Sequence, residues 1–248
     1  MNLGIQGKYA LVTGGSHGIG LCAARALAGE GCHVAICSRD PRRLDAAIKI
    51  LKKYRVKTLA IQADVLVPGD IERVTGTLDK TWKKIDILVN NVGGGGRWGL
   101  EAVEETSEQV WREVFDKNAM AAVRFTRWAL SHMRRQKWGR VVTVASVYGK
   151  EGGGRPWFCM AKAAEVGLMK SLSLRAELVR DGVTFNTVAP GRILIPGTGW
   201  DKKRSDNPLG RLGTPEEVAE VILFLCSKNA SLVNGACVTA DGGESKSF

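Results

Sequence analysis

A glycine-rich segment near the amino terminus has the composition of a phosphate-binding turn. It reads T-G-G-S-H-G-I-G over Thr13–Gly20 and directly follows an apolar run typical of a β-strand. Glycines allow a tight turn and let backbone N–H groups approach phosphate oxygens, and a helix starting there points its positive end toward them. The residues expected to contact a pyrophosphate are Gly14, Ser16, His17, Gly18, Ile19 and Gly20. The segment therefore predicts a dinucleotide-binding site.

The end of the second apolar run bears on which dinucleotide is bound. It reads Ser38-Arg39, where NAD-binding proteins of this kind usually carry an acidic side chain for the ribose hydroxyls. Asp40 precedes Pro41, and a carboxylate in that position is better explained as a helix cap. Arg39 is then available for a 2′-phosphate, which a planar guanidinium matches well. We predict contacts from Ser38 and Arg39 to NADP(H), with NAD(H) as the less favoured alternative.

Strand-like and helix-like segments that would position these residues alternate along the whole chain. This alternation is typical of βαβ units and of a parallel sheet buried on both faces. The sequence predicts the α/β class, with a single Rossmann-type, doubly wound sheet of about seven strands and helices on both faces. Strands are expected at Tyr9–Thr13, His33–Cys37, Thr58–Gln62, Ile87–Asn90, Arg140–Ala145, Val183–Val188 and Ala236–Thr239. Helices are expected at Gly18–Gly29, Pro41–Tyr54, Pro68–Trp82, Ser107–Gln136, Trp157–Arg180 and Pro215–Cys226.

Length and cysteine usage indicate the domain organisation and the compartment. A doubly wound sheet can use 248 residues as one domain, so we predict a single domain over 1–248 with the substrate site on loops at the carboxyl edge of the sheet. The six cysteines show no C-x-x-C pair and no zinc-finger spacing, which indicates neither a disulfide framework nor a metal site. No apolar run reaches the length of a membrane span, and no secretion signal is recognisable. We expect a cytoplasmic protein without a membrane partner.

The net charge of +11 admits several kinds of partner. A nucleic acid, an acidic carrier protein or a phosphate-bearing cofactor would each suit such a charge. The densest basic cluster, within residues 134–140, closes a predicted amphipathic helix, where cations suit the negative end of the helix dipole. We interpret the cluster as a solvated face and expect no nucleic-acid partner.

Further blocks follow in the order found in one enzyme family. They are T-G-x-x-x-G-x-G at Thr13, Asp64-Val65, Asn90-Asn91-Val92-Gly93, Asn118, Gly139-Arg140 through Ala145-Ser146, Ala189-Pro190-Gly191, Pro208-Leu209-Gly210-Arg211 and Asp241-Gly242-Gly243. Together they span the chain, which resembles the short-chain dehydrogenases/reductases. The resemblance implies hydride transfer between NAD(P) and a carbonyl or alcohol. It also implies cofactor contacts from Asp64, Val65, Asn90, Asn91, Gly93, Lys162, Pro190, Gly191 and Ile193.

The same resemblance implies catalytic roles. In this family a serine hydroxyl bonds the developing oxyanion and a tyrosine hydroxyl transfers the proton. A lysine lowers the pKa of the tyrosine and binds the nicotinamide ribose, and an asparagine holds a water. Ser146, Lys162 and Asn118 match the serine, the lysine and the asparagine. The tyrosine of the family's Y-x-x-x-K motif falls on Phe158, and no tyrosine of the chain precedes a lysine by four residues. The proton-donating hydroxyl of the family is therefore expected to be absent.

Three interpretations of Phe158 stay open. The chain is an oxidoreductase that takes its proton elsewhere, a Tyr-to-Phe variant made to trap a complex, or a non-catalytic NADP(H)-binding sensor or scaffold. Tyr148, two residues beyond Ser146, is the first candidate for a substitute donor, although a tyrosine after this strand more often packs. Glu151 and Cys159 are weaker candidates. Loss of a positioned acid typically costs about 10² to 10⁴ in rate, so ordinary ketone reduction would be severely slowed.

Two glycine runs, 93–96 and 152–154, fall on loops that the family places around a small-molecule substrate. Glycines give room or mobility there, although plain flexible loops explain them equally well. Arg97–Trp98, Arg155 and Trp157 lie beside the runs. A guanidinium near an indole suits an anionic or sugar-like substrate, but indoles also simply wall pockets.

Two further expectations concern the lid and the assembly. Between Gly191 and Pro208 the family usually inserts a longer lid, whereas here the segment Ile193–Asn207 reads as an open loop rich in Gly, Lys, Arg and Asp. The helices predicted at Ser107–Gln136 and Trp157–Arg180 match those that form a four-helix dimer interface in the family. The resemblance therefore implies a homotetramer.

Overall fold

Strands and helices alternate along residues 2–100, 102–195 and 207–247, which are those that the computed structural model describes. The strands are β1 (Tyr9–Thr13), β2 (His33–Ser38), β3 (Thr58–Gln62), β4 (Ile87–Asn90), β5 (Gly139–Val144), β6 (Val183–Pro190) and β7 (Cys237–Ala240). The α-helices are α1 (Gly18–Gly29), α2 (Pro41–Leu51), α3 (Asp70–Thr81), α4 (Glu108–Phe115), α5 (Ala121–Gln136), α6 (Pro156–Ser173), α7 (Ala176–Arg180) and α8 (Pro215–Cys226). A π-helical turn over Asp116–Met120 joins α4 to α5.

The seven strands form one parallel sheet in the order β3-β2-β1-β4-β5-β6-β7. The order reverses between β1 and β4, and an open α/β sheet leaves a crevice at the carboxyl ends of its strands at such a point. In the paired register Val12 lies opposite Ile36 of β2 and Val89 of β4, so these three adjacent strands end close together. The predicted doubly wound parallel sheet is confirmed.

Helices cover both faces of the sheet. Ala10 and Val12 of β1 are buried with α1, α2 and α8, whereas Leu11, between them, is buried on the other face with α3, α5 and α6. Successive side chains of a strand point to opposite faces, so a strand covered on both sides reads as a continuous apolar run. None of the described helices combines the length and the apolarity needed to cross a bilayer.

Three predicted helix boundaries are wrong. The helix predicted to end at Tyr54 ends at Leu51, where a 3-10 turn over Lys52–Tyr54 follows it, and the other two boundaries have identifiable causes. The helix predicted over Trp157–Arg180 stops at Ser173, whose carbonyl accepts a hydrogen bond from Asn234 Nδ2 at 3.2 Å, and α7 follows as a separate element. The helix predicted over Pro68–Trp82 begins directly after Gly69, whose φ of 84° is incompatible with a helix. The predicted bounds of β1, β3 and β4 are confirmed at both ends, and the ends of the other strands differ by one or two residues.

Candidate active site

A cleft of about 590 Å³ opens at the carboxyl ends of β1 and β4. An adjoining pocket of about 250 Å³ shares five lining residues with it, Ile19, Val144, Ala145, Phe158 and Ile195. The predicted cofactor residues that line the cleft are Gly14, Ser16, His17, Gly18, Ile19, Gly20, Ser38, Arg39, Asp64, Val65, Asn91, Gly93 and Lys162. Those that line the adjoining pocket are Pro190, Gly191 and Ile193, together with Ile19, which lines both. The fold thus gathers residues that are far apart in the sequence around one crevice.

The glycine-rich turn is fastened to the end of β4. Asn91 Nδ2 donates to the carbonyl oxygen of Thr13 at 2.9 Å, and Thr13 Oγ1 accepts from the backbone N–H of Asn91 at 2.9 Å. A Cβ atom at Gly20 would lie 2.5 Å from the carbonyl oxygen of Gly14, so the helix can approach the turn this closely only with glycine there. The backbone of the turn is therefore fixed with the N-terminus of α1 facing the cleft, as anion binding requires.

Asn90 is the one predicted cofactor residue that the structure places outside both cavities. It is 4% exposed, and its Nδ2 donates to Thr126 Oγ1 at 3.1 Å and to Thr143 Oγ1 at 3.3 Å. These bonds join β4 to α5 and β5. Asn90 therefore stabilises the packing of β4 against α5 and β5 beside the cleft and does not line the cleft itself.

The end of the cleft beside β2 carries several cations. Asp40 Oδ1 accepts from the backbone N–H groups of Arg42 and Arg43, which confirms that it caps α2. Arg39 Nη1 lies 3.8 Å from Asp64 Oδ2, and the Arg43 side chain also lines the cleft. Burial, followed by the nearby Arg43 cation, lowers the pKa of His17. Anions entering this end would thus meet two guanidinium groups.

Lys117 is a further cleft residue that was not among the predicted site residues. It precedes Asn118 in the π-helical turn, and its Nζ lies 4.5 Å from the ring centroid of Trp98. Burial lowers the pKa of Lys117, and the Arg39 cation contributes in the same direction. The signal in the sequence was a lysine beside the predicted asparagine, but only the widened turn shows that it lines the cleft.

The π-helical turn also orients Asn118, which is fully buried. Its Nδ2 donates to the carbonyl oxygens of Gly94 at 2.8 Å and Val114 at 2.7 Å, and its Oδ1 accepts from the backbone N–H of Gly94 at 3.1 Å. A Cβ atom at Gly93 would lie 2.8 Å from Asn118 Oδ1 and 2.9 Å from Lys162 Nζ. These three residues therefore form a close cluster at the far end of the cleft from β2.

Lys162 lies on α6 and is 3% exposed. Its Nζ donates to the carbonyl oxygen of Val144 at 3.0 Å and to Glu165 Oε2 at 2.9 Å. Burial raises the pKa of the Glu165 carboxyl, and the Lys162 ammonium opposes that rise. Glu165 was not among the predicted site residues, although its position three residues after Lys162 on one helix places the two side chains on the same face.

Ser146 and Phe158 lie where the cleft meets the adjoining pocket. Ser146 follows β5 and its Oγ accepts from the backbone N–H of Tyr148 at 3.2 Å, which leaves its own proton available as a donor. The Phe158 ring lines both cavities, and its centroid lies 5.8 Å from Lys162 Nζ. A hydroxyl donor, an ammonium and an aromatic ring thus converge on one region.

Comparison with known proteins identifies the family of the chain. A family model described as Enoyl-(Acyl carrier protein) reductase matches residues 14–245. The rabbit (Oryctolagus cuniculus) protein named Dehydrogenase/reductase SDR family member 4 is 34% identical over 249 residues, covering 96% of this chain and 94% of that protein. The chain belongs to the short-chain dehydrogenase/reductase family. It is an oxidoreductase of this type.

Two further relatives are similar to this short-chain dehydrogenase/reductase over nearly their whole length. The 3-oxoacyl-[acyl-carrier-protein] reductase FabG of Aquifex aeolicus is 36% identical over 251 residues, covering 98% of this chain and 99% of that protein. The crystal structure of L-sorbose reductase from Gluconobacter frateurii, complexed with NADPH and L-sorbose, matches with a TM-score of 0.92 and 31% identity over the full length of both chains. The similarity therefore extends over nearly the whole chain and is not confined to the cofactor-binding turn.

The candidate substitute proton donors of this short-chain dehydrogenase/reductase differ in their surroundings. Tyr148 is half-buried and lines the adjoining pocket with Ser146 and Phe158. Glu151 Oε2 instead accepts from the backbone N–H groups of Lys246 and Ser247, at 2.8 and 3.1 Å. Glu151 is thus engaged by the backbone after β7, whereas Tyr148 faces the space next to the serine. Cys159, also half-buried, does not line either cavity among the described residues.

The aromatic and basic residues predicted at the substrate loops mainly hold the loop over residues 93–100. Trp157 is fully buried, and its Nε1 donates to the carbonyl oxygen of Gly95 at 3.4 Å. Arg155 Nη1 donates to the carbonyl oxygen of Leu100. Gly96 approaches the face of the Phe158 ring so closely that a Cβ atom would lie 3.3 Å from it.

Residues 196–206 of the predicted open loop lie outside the described residues, so that prediction stays a prediction.

Proposed function

We propose that this short-chain dehydrogenase/reductase is an NADP(H)-dependent oxidoreductase of a small carbonyl or alcohol compound, with Phe158 in the place of the family's proton-donating tyrosine. The observation that carries the proposal is the single cleft that joins the glycine-rich turn and Arg39 at one end to Asn118 and Lys162 at the other. A cleft of about 590 Å³ falls within the range of small-molecule and cofactor sites. Titration with NADPH, followed by a turnover assay, tests it.

The residues present fit the proposed cofactor. The turn at the N-terminus of α1 offers backbone N–H groups to a pyrophosphate, and Arg39 and Arg43 suit a 2′-phosphate. When bound, NADPH would supply the hydride. Lys162 would bind the nicotinamide ribose, and the Ser146 hydroxyl would donate a hydrogen bond to the substrate oxygen. Phe158 would wall the site without donating a proton, so the proton would come from water or from Tyr148.

The preference for NADP(H) gives a direct prediction for Arg39. Replacing Arg39 with Gln should weaken NADPH binding about tenfold or more, because a charge-assisted bond to the phosphate is lost. NADH lacks that phosphate, so its affinity should hardly change. Isothermal titration of both cofactors measures the ratio.

Arg42 provides a matched control for this experiment. It lies on the first turn of α2 beside Arg43 but does not line the cleft among the described residues. Arg42→Gln should therefore leave both affinities within about twofold of the native chain. Native chain that binds NADH more tightly than NADPH would contradict the cofactor assignment.

A non-catalytic NADP(H)-binding sensor or scaffold is the second candidate function. Phe158 favours it, because the ring carries no exchangeable proton where the family places a phenol. A chain that binds NADPH yet oxidises none with any carbonyl would support the sensor. Measurable oxidation would support the enzyme.

The substrate class and the assembly belong to the same proposal. The adjoining pocket of about 250 Å³ is mostly apolar, with Ser146 and Tyr148 among its few polar side chains, which suits a small carbonyl compound such as a ketose or a short oxoacyl group. We also propose a homotetramer in the cytoplasm, in line with the helices α5 and α6 that resemble the family's dimer interface. Sedimentation of a stable monomer would contradict the tetramer.

A further inference from the structure

Glu165 is a buried acid next to the cleft, and the roles proposed above do not use it. It is 1% exposed, and its Oε2 lies 2.9 Å from Lys162 Nζ. We propose that Glu165 is a positioning residue, which fixes the Lys162 ammonium at the end of the cleft that receives the nicotinamide ribose. The proposal rests on the proposed function, because it takes NADP(H) as the occupant of the cleft.

Three neighbours define where the Lys162 ammonium lies. An ammonium has three N–H donors, and two of them are used by Glu165 Oε2 and by the carbonyl oxygen of Val144. Gly93 closes a third side, since a Cβ atom there would lie 2.9 Å from Nζ. One N–H is left for the cleft that Lys162 lines. Glu165 and Val144 thus hold the lysine from behind and leave its free donor for a ligand.

The charge of Glu165 matters as well as its position. Burying an ammonium is costly unless an opposite charge and hydrogen bonds accompany it. The carbonyl of Val144 brings no charge, and Lys117, which also lines the cleft, adds a like charge. The family's tyrosine would offer its hydroxyl to the Lys162 ammonium, whereas the phenyl ring of Phe158 offers none. The described contacts therefore leave Glu165 as the residue that neutralises Lys162.

The test compares NADPH with a fragment that lacks the nicotinamide ribose, adenosine 2′-phosphate 5′-diphosphate. Glu165→Gln keeps the size and an oxygen acceptor but removes the charge. We expect NADPH affinity to fall about tenfold, as for a lost hydrogen bond between charged groups, and fragment affinity to stay within about twofold. A general loss of structure would weaken both ligands alike. Glu177→Gln, an exposed acid on α7, is the control and should change neither affinity.

A double-variant cycle checks that Glu165 acts through Lys162. Lys162→Met should lower NADPH affinity, and adding Glu165→Met to it should cause no further loss. The double variant buries no charge, so it serves even where Glu165→Gln does not fold. An unchanged ratio of NADPH to fragment affinity in Glu165→Gln, or additive losses in the double variant, would overturn the role of Glu165. Native chain that binds no NADPH would instead overturn the proposed function.

Discussion

Replacing Phe158 with tyrosine is expected to raise NADPH-dependent carbonyl reduction by about 10² to 10⁴, the usual contribution of a positioned general acid. The ring lines both cavities and its centroid lies 5.8 Å from Lys162 Nζ, so the new hydroxyl would lie near a cation. A phenol has a pKa near 10 and needs such a cation to react near neutral pH. Because Glu165 places an opposite charge beside that cation, we expect a gain nearer the lower limit.

The measurement is the initial rate of NADPH oxidation across a panel of carbonyl compounds. The panel includes a 3-oxoacyl compound and L-sorbose, which the names of two relatives mention. NADPH affinity should stay within about twofold, because phenylalanine and tyrosine fill nearly the same volume. Phe158→Leu is the control and should give no gain. Tyrosine at this position without a gain on any substrate would contradict a latent dehydrogenase site and favour the sensor.

Adding one methyl group at Gly93 should have the second largest effect on the rate of carbonyl reduction. The new Cβ would lie 2.8 Å from Asn118 Oδ1 and 2.9 Å from Lys162 Nζ, so both side chains must move. Displacements of about 1 Å in a site can cost about 10²-fold in rate. We expect Gly93→Ala to lower carbonyl reduction by about 10²-fold in the Phe158→Tyr background, and to weaken NADPH binding in either background.

Gly167 is the matched control for this methyl group. It lies on α6, the helix that carries Lys162, and a Cβ atom there would meet nothing within 4 Å. Gly167→Ala should leave binding and turnover unchanged, and should stabilise the chain by roughly 0.5 to 1 kcal/mol in thermal unfolding. Equal NADPH affinity and equal turnover in the two alanine variants would show that the cluster around Gly93 has no part in the site.

Features that depend only on residues close together in the sequence were predictable from it. The glycine-rich turn depends on a strand, a few glycines and a helix in succession, and the cap at Asp40 depends on the proline that follows it. The parallel pairing of the strands follows from their alternation with helices. The same local patterns place Arg39 at the end of β2, where the structure has it.

Features that depend on tertiary packing were not predictable in this way. Asn90 was expected in the cleft because of its motif, but its amide instead bonds Thr126 and Thr143 from neighbouring elements. Arg43 and Lys117 line the cleft only because of how α2 and the π-helical turn are placed beside the sheet. The position of these elements beside the sheet cannot be predicted from short-range sequence patterns.

The π-helical turn at Asp116–Met120 makes the site depend on the length of the chain as well as on its residue types. Such a turn contains one residue more than an α-helix would need. Deleting that residue would leave a regular helix, but it would rotate α4 by about 100° relative to α5. If the deleted residue lay between Val114 and Asn118, the four-residue spacing on which the bond from Asn118 to the Val114 carbonyl depends would also change, although both residues were still present. Deletion scanning would therefore reveal a requirement here that substitutions cannot detect.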